Sequence, residues 1–180
     1  MIYSYKDCVE YFGTDYKLKK ALSDKKLFLK EKGFYSDSEF SSELELIAAK
    51  YPRAVFTGES AYYYYGMTDV IPDCYHLATK REDTRITDKR VKQVFVNDKL
   101  FEYGITRMDY QNVNISIYSK ERLLVDLVRF KTRMPFDYYK EIIGSYRNIV
   151  GELDFFKVED YAALLKNGNR LMEAIQLEVM

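Results

Sequence analysis

In the stretch VFTGESAYYYYGMTDVIPDCYHLAT, residues 55–79, a short apolar run enters a Gly-x-Ser turn at Gly58-Glu59-Ser60, and a second apolar run begins at Tyr75. On a frame of this kind nucleotidyl transfer holds Mg²⁺ by an Asp-x-Asp or Asp-x-Glu pair on the second strand. Alternate strand residues point the same way, and hard cations take carboxylate oxygens. The second run here reads Tyr75-His76-Leu77-Ala78-Thr79, and neither Tyr75 nor Leu77 is such a ligand. Asp69 and Asp73 flank the loop between the runs, at a spacing that does not converge on one ion. Gly58 and Ser60 are therefore expected to shape a turn rather than hold a phosphate, and neither a catalytic residue, a metal site nor a cofactor is expected.

Other chemistries lack their parts. His76 is the only histidine, and Cys8 and Cys74 lie far apart with no C-x-x-C pair, so neither a metal set nor a Cys/His nucleophile can be assembled. No Gly-x-Ser-x-Gly is present for a serine hydrolase. The run Tyr62 to Tyr65 could stack bases. Four consecutive residues on a helix point all round it, however, so about two belong to a core and the others cover a surface. Glu121, Arg122 and Asp126 sit early in a helix, with Arg122 and Asp126 one turn apart; they make either a domain-internal ion network or a partner-facing patch.

Charge singles out the front of the chain. Residues 1–36 carry eight Lys against five Asp or Glu, +3, which leaves 20 basic and 23 acidic residues, −3, in the remainder. An anionic partner is expected there. Lys17, Lys19, Lys20, Lys26, Lys30 and Lys32 are the candidate DNA-binding cations, with Asp15 and Tyr16 as base or sugar contacts. Lysine and backbone amides bind phosphates and fix register, whereas small or polar side chains on a helix reach base edges. The segment contains no Arg, which argues against guanine readout.

The elements that must position these residues follow from periodicity. Ser4 with Asp7 three residues on is a capping box for a short helix that Gly13 stops, and Thr14 caps a second helix whose Leu18, Ala21 and Leu22 face inward. In KKLFLKEKGFYSD the period changes to two, with Leu27 and Leu29 on one side and a turn at Glu31-Lys32-Gly33, a basic hairpin in the shape of a wing. Helical spacing returns from Glu39 to Lys50 through Phe40, Leu44, Ile47 and Ala48, and Tyr51-Pro52 ends it. Strands are expected near Ala54–Phe56, Tyr75–Thr79, Lys92–Val96, Gly104–Met108 and Val113–Tyr118. A helix is expected near Ser60–Tyr65, and helices follow from Ser119 onward. Nearly half the residues are apolar, no run approaches a membrane span of about 20 residues, and no apolar leader opens the chain, so a cytoplasmic protein with no membrane partner is expected.

Three phrases together resemble one family: YPRAVFTGESAYYYYGMTDVIP, the strand YHLAT, and ITRMDYQNVNISIYSKERLLVDLVRF. They are similar to the AbiEi-type antitoxins, the antitoxin half of type IV abortive-infection (phage-defence) toxin-antitoxin systems. The usual phrases there take the form YP-x-AVIS-x-SA-x-x-x-x-G-L-T-D-x-IP and V-x-VTSPERTLLDLxRF. The likeness covers most of the chain and reaches LFLKEKGFY at the front. It departs at Ser119-Lys120-Glu121-Arg122-Leu123, which keeps the cap, Glu and Arg but lacks the Pro and Thr. The family's first domain also opens with a further helix, for which there is no room ahead of Ser4.

The resemblance implies a winged helix that lets the protein bind double-stranded operator DNA and repress its own operon as a transcriptional regulator. It also implies a nucleotidyltransferase-like domain without catalysis, and a nucleotidyltransferase-type toxin encoded alongside. The resulting expectation is an α/β (α+β) chain. A minimal winged helix-turn-helix covers 1–36, a linking helix 37–52, and a mixed-sheet, nucleotidyltransferase-like antitoxin domain with a helical C-terminal half covers 53–180. Two other readings of the residues stand beside it: a divergent nucleotidyltransferase, and a protein-interaction module whose Lys face is only solvated.

Overall fold

A computed structural model describes residues 1–180. The chain divides into two compact units, Met1–Arg53 with Gln111–Val113, and Ala54–Tyr110 with Asn114–Met180. Each combines helices with a β-sheet, so the chain is of the mixed α/β class.

The first unit runs β1 (Ile2–Ser4), α1 (Tyr5–Phe12), α2 (Asp15–Ser23), β2 (Phe28–Glu31), β3 (Phe34–Ser36) and α3 (Glu43–Lys50). Its three strands lie in the order β1-β3-β2, with β3 antiparallel to both neighbours. Local chemistry sets the helix ends. The Ser4 hydroxyl accepts the Asp7 N–H at 3.2 Å while the Asp7 carboxylate accepts the Ser4 N–H at 2.9 Å, so two of the donors orphaned at the start of α1 are satisfied. Gly13, at φ 77°, closes the helix in the left-handed region and returns its N–H to Val9. Cys8, Leu18, Ala21 and Leu27 form the buried centre, with Tyr3, Val9, Phe12, Leu22 and Tyr35 packed around it.

Two expectations change here. Helix α3 starts at Glu43, not Glu39, because the Ser42 hydroxyl accepts the Glu45 N–H at 3.1 Å and fixes the cap there. Phe40 consequently lies ahead of the helix and is 87 % exposed. Leu29 does not share the buried side with Leu27; it is 59 % exposed, and the register of β2 against β3 shifts between Leu29 and Glu31.

The second unit contains β4 (Val55–Phe56), α4 (Gly58–Tyr64), β5 (Tyr75–Lys80), β6 (Val91–Val96), α5 (Asp98–Phe101), β7 (Ile105–Tyr110) and, from its second residue onward, β8 (Val113–Tyr118). Helices α6 (Lys120–Arg129), α7 (Phe136–Asn148), α8 (Phe155–Ala163) and α9 (Gly168–Val179) complete it. The sheet order is β6-β5-β4-β8-β7; β4 runs antiparallel to β5 and parallel to β8, and β5 runs parallel to β6. Helix α6 is the hub of the helical half. Ser119 caps it, Leu123, Leu124 and Leu127 are wholly buried, and it packs against α4, α8 and α9. Burying each such leucine contributes about 1.5–3 kcal/mol as an upper bound. No helix is long and apolar enough to cross a membrane.

Candidate nucleic-acid interface

Helix α2 places the candidate DNA-contacting residues. Its inward stripe is Leu18 and Ala21, with Leu22 half-buried beside it. At 100° per residue the opposite face is Tyr16, Lys20 and Ser23, flanked by Lys17 and Lys19. All five are exposed, Tyr16 by 76 %. The Thr14 hydroxyl accepts the Lys17 N–H at 3.3 Å, so the first turn, which carries Tyr16 and Lys17, is held by its cap.

The other predicted residues divide into available and engaged. Lys26 and Lys32 are exposed, Lys26 ahead of β2 and Lys32 in the turn to β3. Lys30 is half-buried and donates from Nζ to the Glu39 carbonyl at 2.5 Å, with the Phe28 ring 5.9 Å away. Asp15 accepts from the Tyr5 hydroxyl at 3.2 Å and pairs with Lys19 at 3.2 Å. Beside that carboxylate the Tyr5 phenol is held above its ordinary range, chiefly by the Asp15 charge. Asp15 and Lys30 thus serve the unit's own structure, and the outward set is Tyr16, Lys17, Lys19, Lys20, Lys26 and Lys32.

The hairpin is short. Gly33, at φ 85°, makes the turn, and its carbonyl accepts the Tyr5 N–H at 2.7 Å, which ties the tip to the start of α1. Positive charge is likewise local. Residues 37–53 contribute Asp37, Glu39, Glu43 and Glu45 against Lys50 and Arg53, a change of −2 that brings 1–53 to +1. Among those carboxylates, Asp37 lies 2.7 Å and Glu45 3.2 Å from the N-terminal ammonium. The Asp37 carboxyl is held below its usual range, mainly by hydrogen bonding to that ammonium.

The Gly-x-Ser frame of the second unit is occupied by structural bonds. The Ser60 hydroxyl accepts the His76 N–H at 2.8 Å and donates to the Cys74 carbonyl at 3.3 Å. Gly58 adopts φ +52°, and a Cβ there would stand 3.0 Å from His76 Nδ1. Glycine therefore serves both the backbone conformation and the close approach. Asp69 and Asp73 are exposed, Leu77 is buried, and no group of three or more His, Cys, Asp or Glu side chains could hold a metal ion. Within the tyrosine run, Tyr62 and Tyr64 are buried; the Tyr62 hydroxyl donates to the Leu123 carbonyl and that of Tyr65 to the Tyr118 carbonyl, each at 3.1 Å.

Arg122 and Asp126 lie inside the second unit. Arg122 is 1 % exposed; Nε lies 3.4 Å from Asp126, and Nη1 donates to the carbonyls of Leu100, Phe101 and Tyr103. Periodicity places the pair on one helix face but carries no sign of this depth, which comes from the α5–β7 connection folding over the guanidinium. No family model matches the chain, and no curated protein matches it.

Proposed function

We propose that this chain is a DNA-binding antitoxin of the AbiEi type, which recognises operator DNA upstream of its own gene and represses transcription there. The observation that carries the reading is the outward face of α2, where Tyr16, Lys20 and Ser23 stand between Lys17 and Lys19 on a helix whose other side is locked by Leu18 and Ala21. The order β1-α1-α2-β2-β3 supports a winged helix without a leading helix, with α2 as the recognition helix and the short hairpin as its wing.

In this reading Lys17, Lys19 and Lys20 neutralise phosphates on either side of a major groove, and Tyr16 and Ser23 meet sugar and base edges. Lys26 and Lys32 add phosphate contacts from the hairpin. The second unit acts without catalysis, and a nucleotidyltransferase-type toxin encoded alongside is the proposed counterpart. Neutralisation proceeds either through the shared operon and target or by direct contact.

A promoter fusion tests repression. The region upstream of the gene, placed ahead of a reporter, is expected to be silenced when the full chain is supplied in trans and released when Tyr16→Ala/Lys20→Ala is supplied at the same level. Reporter output unaffected by the full chain would contradict the proposal.

A further inference from the structure

We propose that the second unit carries a binding site for a small organic anion with a planar aromatic body, in the cavity between β6, α4 and α6. The site lies wholly within that unit and is independent of the DNA reading. Its volume is about 330 Å³, within the range of small-ligand sites. Its walls are aromatic and aliphatic, with Tyr62, Tyr118, Phe130 and Tyr138 around Val94 and Leu123. Flat rings on several sides favour a flat ligand.

Charge decides the sign of that ligand. The ionic groups on the lining are Lys92, Arg122, Arg129 and Arg133 against Glu59 and Asp126, four cations and two anions, an excess of +2. His76 adds nothing at neutral pH, because its Nδ1 accepts the Glu59 N–H and the ring is therefore neutral. The buried Arg122 is balanced by Asp126 at 3.4 Å, and the exposed Arg129 shares that carboxylate at 3.8 Å. Lys92 stands 3.9 Å from Glu59 and is 61 % exposed. Arg133 has no carboxylate within ion-pair distance; its guanidinium lies 4.8 Å from the centre of the Phe130 ring. The cavity thus joins an apolar interior to an exposed, uncommitted guanidinium braced on an aromatic face. An aromatic ligand fills the interior, and its anionic group pairs with Arg133 and Lys92. A metal cation is disfavoured by the same excess charge.

The probe is 8-anilino-1-naphthalenesulfonate, an aromatic sulfonate, titrated by fluorescence into the full chain, with the uncharged N-phenyl-1-naphthylamine as its neutral counterpart. Arg133→Glu is the test variant. Arg170→Glu, at an exposed position on α9 outside the cavity, makes the same charge change as a control. The proposal expects one saturable site per chain, weakened at least about tenfold by Arg133→Glu and by removal of the sulfonate, and little altered by Arg170→Glu. Val94→Trp, which fills the cavity, abolishes the site while circular dichroism stays that of the native chain. The absence of saturable binding, equal loss in the two Arg variants, or equal affinity for the neutral amine would overturn it.

Discussion

His76 and Glu59 meet at both nitrogens of the imidazole: Nδ1 accepts the Glu59 backbone N–H at 3.3 Å, and Nε2 lies 3.7 Å from the Glu59 carboxylate. Protonation would place a hydrogen on Nδ1, against the N–H that already points at it. Burial pushes the imidazole pKa below its ordinary 6.5, opposed by the Glu59 charge and assisted by Lys92. Below about 6.5 the unfolded chain takes up a proton that the folded chain does not. Stability is therefore undiminished by this group above that pH and falls as the pH drops from there toward the folded pKa. Denaturant midpoints measured from pH 8 to pH 5 should show that decline, and His76→Gln should flatten it; an unchanged slope in the variant would assign the decline to other groups.

Arg122 should be the costliest surface-to-core charge to remove. Its guanidinium lies 3.4 Å from the centre of the Tyr118 ring and satisfies three carbonyls besides the Asp126 carboxylate. Burial already raises the Asp126 pKa, and Arg122 is the largest of the groups that oppose it. Arg122→Met leaves a buried carboxylate with less compensation and takes the guanidinium donor from three carbonyls, of which Leu100 keeps the Tyr103 N–H and Phe101 the Tyr118 hydroxyl, at an expected cost of about 3–5 kcal/mol. Urea unfolding measures this, and a loss under about 1 kcal/mol would contradict the internal role.

Tyr138 should behave oppositely. Its hydroxyl is buried and has no hydrogen-bond partner. Tyr138→Phe keeps the ring and removes only the unmet group, so stability should be unchanged or raised by up to about 1 kcal/mol. A clear loss in thermal unfolding would mean that the hydroxyl is paired.

Gly104 adopts φ +69°, and a Cβ there would stand 2.9 Å from the Arg122 Cβ. Gly104→Ala therefore combines left-handed strain with a contact too short to keep, at an expected cost of about 1–3 kcal/mol in the same urea assay. Full stability in the alanine variant would show that the connection can shift away from α6.

The parts of this structure that are legible in the sequence are those set by neighbours in the chain. Ser4 with Asp7, Thr14 and Ser119 cap helices where their spacing predicts, because a cap is made within three residues. Strand β1 has only three residues and exists by pairing with β3, 30 to 34 positions away, so no local pattern marks it. Phe40 fits a helical period, but the Ser42 cap four residues into the expected helix decides where α3 begins. At the candidate interface, Lys17 and Lys20 are outward as the period requires. Lys30 is drawn to the Glu39 carbonyl and Asp15 to Tyr5, pairings that depend on how segments fold back on one another. The cavity of the second unit was illegible for the same reason, since Lys92 and Arg133 are brought to one lining from positions 41 residues apart.

Fluorescence anisotropy of the full chain on its own upstream DNA tests the central claim most directly, with length-matched scrambled DNA and a Lys17→Ala/Lys19→Ala/Lys20→Ala variant measured over a series of salt concentrations. Specific binding should be tighter than scrambled by about a thousandfold or more, and the triple variant should lose most of it. Its log-log salt slope should also be shallower by about 2.7, three phosphate contacts at roughly 0.9 each. Equal, weak binding to both DNAs, unchanged in the triple variant, would contradict the account.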